Sequence, residues 1–128
     1  MTGRRAEDGL KKRRKAETAG RRAEWIAALL LRVQGFAILE RRFKAPSGEV
    51  DLVAKRGRLL VFAEVKSRER MDDALAAVTP AGRRRVSAGA GMFLARRPDL
   101  AACDMRYDII AVSGWRLRHI KAAWIDDA

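Results

Sequence analysis

Asp51, Glu64 and Lys66 are charged residues set into stretches that otherwise read as apolar strands. Asp51 lies between Val50 and Leu52, and after twelve intervening residues Glu64 and Lys66 flank Val65 at the end of the run Leu59-Leu60-Val61-Phe62-Ala63. Strand side chains alternate between faces, so Leu60, Phe62, Glu64 and Lys66 share one face while Leu59, Val61, Ala63 and Val65 share the other. A strand apolar on both faces is a buried one, and a carboxylate and an ammonium there are expensive without compensation. A hard divalent cation, Mg2+ or Mn2+, supplies that compensation, because it takes carboxylate oxygens together with carbonyl and water oxygens. Asp51 and Glu64 offer the carboxylates, and the Val65 carbonyl offers a third oxygen. Lys66 beside them is placed to orient or deprotonate an attacking water and to offset phosphate charge. Such a set suits phosphodiester hydrolysis, which needs a polarised phosphate and an activated water. The alternative is an ion-pair network without metal at the end of two strands, since such networks also perturb pKa values.

Composition narrows the partners. The 128 residues carry 28 Lys and Arg against 16 Asp and Glu, a net charge of +12, with 48% hydrophobic residues. The length fits one globular domain, and the charge predicts attraction to polyanions, nucleic acid first. With one cysteine, Cys103, and one histidine, His119, the chain has neither a disulfide framework nor the ligands of the usual zinc and iron sites. The single cysteine fits a reducing cytoplasm. The longest apolar run, Trp25 to Leu31, is far short of the roughly 20 residues that cross a bilayer, and the N-terminus does not read as a secretory signal. Residues 1–22 hold nine basic and three acidic side chains. This basic arm, residues 1–19 with Lys11, Lys12, Arg13 and Arg14 at its centre, reads either as a solvated terminus or as a nucleic-acid contact continuous with the first helix.

The elements that must position the charged set follow from periodicity. Trp25, Ile26, Leu29, Leu30 and Val33 recur at helical spacing over 24–34, with a start as early as Ala16 and Gly35 as the stop. Residues 36–43, 49–55 and 58–67 read as strands, joined through Pro46-Ser47-Gly48 and Arg56-Gly57 into an antiparallel meander. Short and long helices are predicted over 72–78 and 81–96, the second burying Val86, Ala90, Phe93 and Leu94 but weakened by Gly89 and Gly91. A central strand over 105–112, a short strand over 115–120 and a helical turn over 122–124 complete the pattern. The order α-β-β-β-α-β implies a mixed sheet with flanking helices, an α/β fold.

Other residues have plain readings. Glu24 pairs along its helix with Arg21 or Arg22. Arg83, Arg84 and Arg85 spread around a helix, so one or two of them at most face a phosphate. Trp25, Trp115 and Trp124 read as core or edge packing. His119 reads as structural, and Asp108 as a buried carboxylate that caps backbone donors or pairs with an arginine.

Taken together the segments are recognisable. Asp51 followed by Glu64-Val65-Lys66 resembles the PD-(D/E)XK nuclease motif, whose superfamily includes restriction enzymes, Holliday-junction resolvases and the tRNA endonuclease-like fold. More closely, GRRAEWIAALLLRVQGFAILERRF from Gly20, GEVDLVA from Gly48, VFAEVKSR from Val61, AVTP from Ala77, RYDIIAV from Arg106 and RHIKAAW from Arg118 resemble the YraN-like family of small bacterial proteins. The resemblance implies a restriction-endonuclease-like domain over 20–128, with Asp51, Glu64 and Lys66 as metal and catalytic triad. It also implies Glu24 as an additional acidic residue and Glu49 as an accessory ligand. Two positions depart from the pattern: Val50 replaces the motif's proline, and Gly82, followed by Arg83 to Arg85, stands where relatives carry a lysine after the TP segment. The expectation is a Mg2+- or Mn2+-dependent endonuclease acting on DNA more readily than RNA, with some support for a homodimer. The alternatives are a non-catalytic nucleic-acid-binding module of the same fold, and a basic protein that binds an acidic protein or a ribosomal RNA surface.

Overall fold

A strand with two apolar faces needs a cover on each, and the chain supplies one helix per face. The computed structural model describes residues 2–126, with side chains from residue 5 onward. The elements are α1 (Thr2–Val33), β1 (Ala37–Ala45), β2 (Gly48–Arg56), β3 (Leu59–Ser67), α2 (Met71–Ala76), α3 (Pro80–Arg96), a single 3-10 turn (Pro98–Leu100), β4 (Asp104–Ser113) and β5 (Arg116–Trp124). The sheet runs in the order β1-β2-β3-β4-β5. The first three strands form the expected antiparallel meander. β4 joins β3 in parallel, and β5 closes the other edge antiparallel to β4. The parallel pair requires a crossover, which α2 and α3 provide.

The alternation read from β3 is the alternation observed. Val61, Ala63 and Val65 pack with Leu52, Ala54 and Ile110 under α1. Leu60 and Phe62 pack with Val86, Ala90, Phe93 and Tyr107 under α3. The TP segment has a local job, since Thr79 caps α3 by accepting from the Gly82 N–H at 3.1 Å and Pro80 takes the first helical position.

Three expectations need correction. The face of α1 turned to the sheet is made of small residues, Ala23, Ala27 and Ala28, with Ile26 and Leu31. Trp25, Leu29 and Val33 lie on the opposite side and are exposed, because alanines let the helix approach the sheet more closely than a tryptophan stripe would. Trp115 is likewise no packing residue, being 83% exposed at the tip of the β4–β5 turn. The helical turn expected over 122–124 is strand: a bulge at Ala122, with φ of 51°, lets β5 continue to Trp124, whose ring stacks on Tyr107 at 5.0 Å.

Gly89 has a positive reason to be in α3. A Cβ on Gly48 would meet the Arg85 carbonyl at 2.2 Å and the Gly89 nitrogen at 2.3 Å, and one on Gly89 would meet the Glu49 nitrogen at 2.8 Å. Two glycines thus press the start of β2 against α3, which carries Glu49 and Arg85 to the same place.

Candidate active site

The β2–β3 ladder runs from Arg56↔Leu59 to Leu52↔Ala63 and stops there. One residue further along β2, Asp51 turns its carboxylate into the opening between the strands. Its Oδ2 accepts from the Val65 N–H at 2.7 Å, replacing the main-chain partner that β2 would have offered. In an extended strand the N–H and C=O of one residue point to the same side, so the Val65 carbonyl also faces this opening. On the opposite flank of β2, between the pairs Arg41↔Leu52 and Phe43↔Val50, Arg42 is held at φ 51°. A non-glycine residue in that region is uncommon and signals a local constraint. The partner of Glu24 is not Arg21 or Arg22 along its own helix, as expected, but Arg42 on β1, whose Nε donates to Glu24 Oε2 at 2.7 Å and ties α1 to the same end of the sheet.

Glu64 follows on β3, its side chain only 12% exposed, with Lys66 Nζ 3.2 Å from Glu64 Oε1. Burial, and then the charge of Asp51, push the Glu64 carboxyl up to about 7, against the opposing pull of Lys66. Burial also raises Asp51, opposed by the Val65 N–H and reinforced by the negative charge of Glu24. Two carboxyl groups this close, both driven toward their neutral forms, form a site short of positive charge.

Two clefts meet at Glu49, one reaching Asp51 and the other Glu64. One, of about 330 Å³, is bordered by Glu17, Glu24, Arg42, Glu49 and Asp51. The other, of about 250 Å³, is bordered by Glu49, Glu64, Lys66, Gly82 and Arg85. Glu49 hydrogen-bonds the Arg85 guanidinium, so Glu24 and Glu49 each already hold an arginine. Among the described residues no three His, Cys, Asp or Glu side chains converge as a metal cage. The donors left are two carboxylates and one carbonyl, all oxygen. That set fits Mg2+ or Mn2+, since Mg2+ typically uses one or two carboxylates and completes its shell with waters and substrate phosphate.

The structure therefore brings together Asp51, Glu64, Val65 and Lys66, with Glu24 and Glu49 at the rim. Of the three consecutive arginines, only Arg85 reaches this cleft, three residues and so one turn beyond Gly82 on the same side of α3. Arg83 and Arg84 border a different cleft beside Trp124, with Arg83 Cζ 5.8 Å from the Trp124 ring. Lys11, Lys12, Arg13 and Arg14 lie exposed on the first half of α1 and are not drawn to the carboxylates. Arg42 is a site neighbour that the sequence does not announce, because an arginine on an edge strand is ordinary and only the register sets it opposite Asp51.

Asp108 and His119 stand apart from this cluster and do what their contexts suggest. Asp108 is fully buried; its Oδ1 accepts from Arg106 Nε at 2.8 Å and from the Ala122 N–H at 3.1 Å. Its Oδ2 takes Arg106 Nη2 at 2.9 Å and His119 Nε2 at 2.7 Å. Burial alone would raise this carboxyl, but the donors from His119, Arg106 and Ala122 outweigh it and hold the group below its usual range. The network fastens β5 across its bulge to β4.

No described helix is long and apolar enough to cross a membrane. The profile described as "Uncharacterised protein family UPF0102" matches residues 23–112, from Ala23 in α1 to Val112 in β4. A UPF0102 protein of Paramagnetospirillum magneticum is 49% identical, covering 85% of this chain and 88% of that protein. One of Bartonella quintana is 45% identical, covering 91% and 96%, and one of Chelativorans is 46% identical, covering 78% and 81%. The matched residues contain Glu24, Asp51, Glu64, Lys66 and the whole of α3, and the chain belongs to the family described as Uncharacterised protein family UPF0102.

Proposed function

We propose that the chain is a metal-dependent endonuclease that hydrolyses phosphodiester bonds in DNA. The observation that carries this reading is the Asp51 carboxylate lodged between separated strands beside Glu64 and Lys66, in a protein of net charge +12. Bound there, a Mg2+ or Mn2+ ion would satisfy the two carboxylates and polarise the scissile phosphate. Asp51 is held by the Val65 N–H, so its free oxygen keeps a fixed direction. Glu64 is restrained by Lys66, whose ammonium lies where incoming phosphate oxygens need a counter-charge and where a water can be oriented. Arg85, one turn beyond Gly82, is positioned to give up Glu49 and clamp phosphate in the role that a lysine at position 82 would fill.

Binding without turnover is the second reading, and one feature favours it: the acidic residues at the rim, Glu24 and Glu49, are both occupied by arginines. A panel of labelled single-stranded, duplex and branched DNA, incubated with Mn2+ and with EDTA, separates the two. The proposal expects metal-dependent cleavage of at least one substrate, abolished by Asp51→Asn. Salt-dependent binding with no cleavage of any substrate supports the second reading instead.

A further inference from the structure

We infer that Trp115 is a stacking platform for an unpaired base, and that the nucleic acid this site takes is therefore single-stranded, flapped or branched near the cut. The inference rests on the nucleic-acid reading above and adds the class of substrate.

Tryptophan is normally among the more buried residues, yet Trp115 is 83% exposed. The turn does not ask for it. Ser113 pairs with Arg116, leaving Gly114 and Trp115 as the two central residues, and the positive φ of 60° that such a turn needs falls on Gly114. Nor is the indole loose. Arg22 Nη2 donates to the Gly114 carbonyl at 2.7 Å, and the same guanidinium lies 4.4 Å from the indole centroid. One face of the ring is thus covered by a cation and fixed in place, while the other faces solvent.

Its position follows from strand direction. β4 runs parallel to β3 with Ala111 opposite Lys66, so the chain leaves β4 at the same end of the sheet as Glu64 and Lys66. Trp115 is four residues past Ala111, at most about 13 Å along the strand direction. α1 lies between the two places: Arg22 holds the turn on one side of the helix, and Glu24, about 200° further round, borders the acidic cleft on the other.

The charge around the ring suits a polyanion. The loop after β3 is bound to the end of β4 through the Arg68 N–H to Val112 carbonyl bond at 3.2 Å and the Ser113 Oγ to Glu69 carbonyl bond at 2.7 Å. That brings exposed Arg68 and Arg70 beside exposed Arg116 and Arg118, with Glu69, Asp72 and Asp73 as the nearby carboxylates. An aromatic platform in a basic surround is the arrangement by which single strands are held. Inside a duplex both faces of a base are already covered by neighbours, so an indole presented face-on discriminates in favour of an unpaired base.

The test uses the full-length chain in EDTA, so that turnover is not required. Binding of a fluorescein-labelled oligothymidylate and of a blunt duplex is read by anisotropy at one fixed salt concentration, for the parent, Trp115→Ala and Trp115→Phe. The expected result is a roughly tenfold loss of oligothymidylate affinity in Trp115→Ala, a smaller loss in Trp115→Phe, and duplex affinity unchanged within about twofold. An equal loss on both probes, or no loss on the oligothymidylate, overturns the inference. So does loss of binding to phosphatidylserine vesicles with oligothymidylate binding intact, which would assign the ring to a membrane surface. Failure of the nuclease reading shows up separately, as absent cleavage with this binding difference intact.

Discussion

Asp51 Oδ2 accepts the Val65 N–H at 2.7 Å at the point where the β2–β3 ladder ends, so one side chain both closes a gap in the sheet and faces Glu64. These two jobs separate by substitution. Asp51→Asn keeps an acceptor for the Val65 N–H while removing a charge that opposes Glu64. Asp51→Ala leaves the N–H without its partner, at a cost of about 1–2 kcal/mol. Urea denaturation is expected to rank Asn above Ala by about that amount, with both variants inactive on DNA. Equal stability of the two would mean that the hydrogen bond contributes nothing.

The raised Glu64 carboxyl sets a pH dependence. Its ordinary value is 4.5, and burial in the folded chain pushes it up to about 7. Between those values the folded state holds a proton that the unfolded state has released, so stability is full below the lower value and falls as pH rises through the upper one. Denaturation midpoints measured across that window are expected to decline for the parent and to flatten for Glu64→Gln. Metal competes with the same proton, so Mn2+ affinity is expected to climb as pH passes through about 7. A decline that Glu64→Gln leaves untouched would place its cause elsewhere.

Arg83, Arg84 and Arg85 look equivalent as a sequence, and the structure distinguishes them. Only Arg85 borders the cleft with Glu64 and Lys66. Arg85→Ala is expected to lower kcat/KM on a DNA substrate by about ten- to a hundredfold, the worth of a charge-assisted hydrogen bond to phosphate. Arg84→Ala is expected to change it by less than about twofold. Matching losses in both variants would point to diffuse electrostatics in place of a phosphate clamp.

Gly89 and Gly91 make a second pair that the structure separates. A Cβ at Gly91 meets nothing within 4 Å, whereas one at Gly89 runs into the backbone of Glu49. Gly91→Ala is expected to stabilise α3 by about 0.5–1 kcal/mol. Gly89→Ala is expected to destabilise by about 1–3 kcal/mol and, by pushing β2 away, to weaken the Glu49–Arg85 contact. Thermal melts of the two variants give the comparison directly.

The pattern along Leu59–Ser67 was legible because a period of two survives folding unchanged, and it correctly assigned Leu60 and Phe62 to one face and Val61, Ala63 and Val65 to the other. The same arithmetic exposed Asp51, Glu64 and Lys66 as misplaced charges. On α1 periodicity was ambiguous, because the helix carries two apolar stripes, and Trp25, Leu29 and Val33 on the unburied one give as strong a signal as Ile26 and Leu31 on the buried one. Alanine spacing at 23, 27 and 28 was the better guide, but small residues carry little hydrophobic signal. Contacts that depend on register between distant segments, such as Arg42 with Glu24 or Ala122 with Asp108, leave no local trace. Gly89 left a trace of the wrong sign, a helix weakener by propensity whose reason is a strand on the far side of it.

The central claim is that Asp51 and Glu64 together hold a hard cation, and Mn2+ binding followed by electron paramagnetic resonance at pH 8 tests it without any substrate. One tightly bound ion per chain is expected in the parent, lost or severely weakened in both Asp51→Asn and Glu64→Gln and preserved in Glu24→Gln. Binding of equal strength in the parent and the two carboxylate variants, or none in the parent at high Mn2+ concentration, would contradict it.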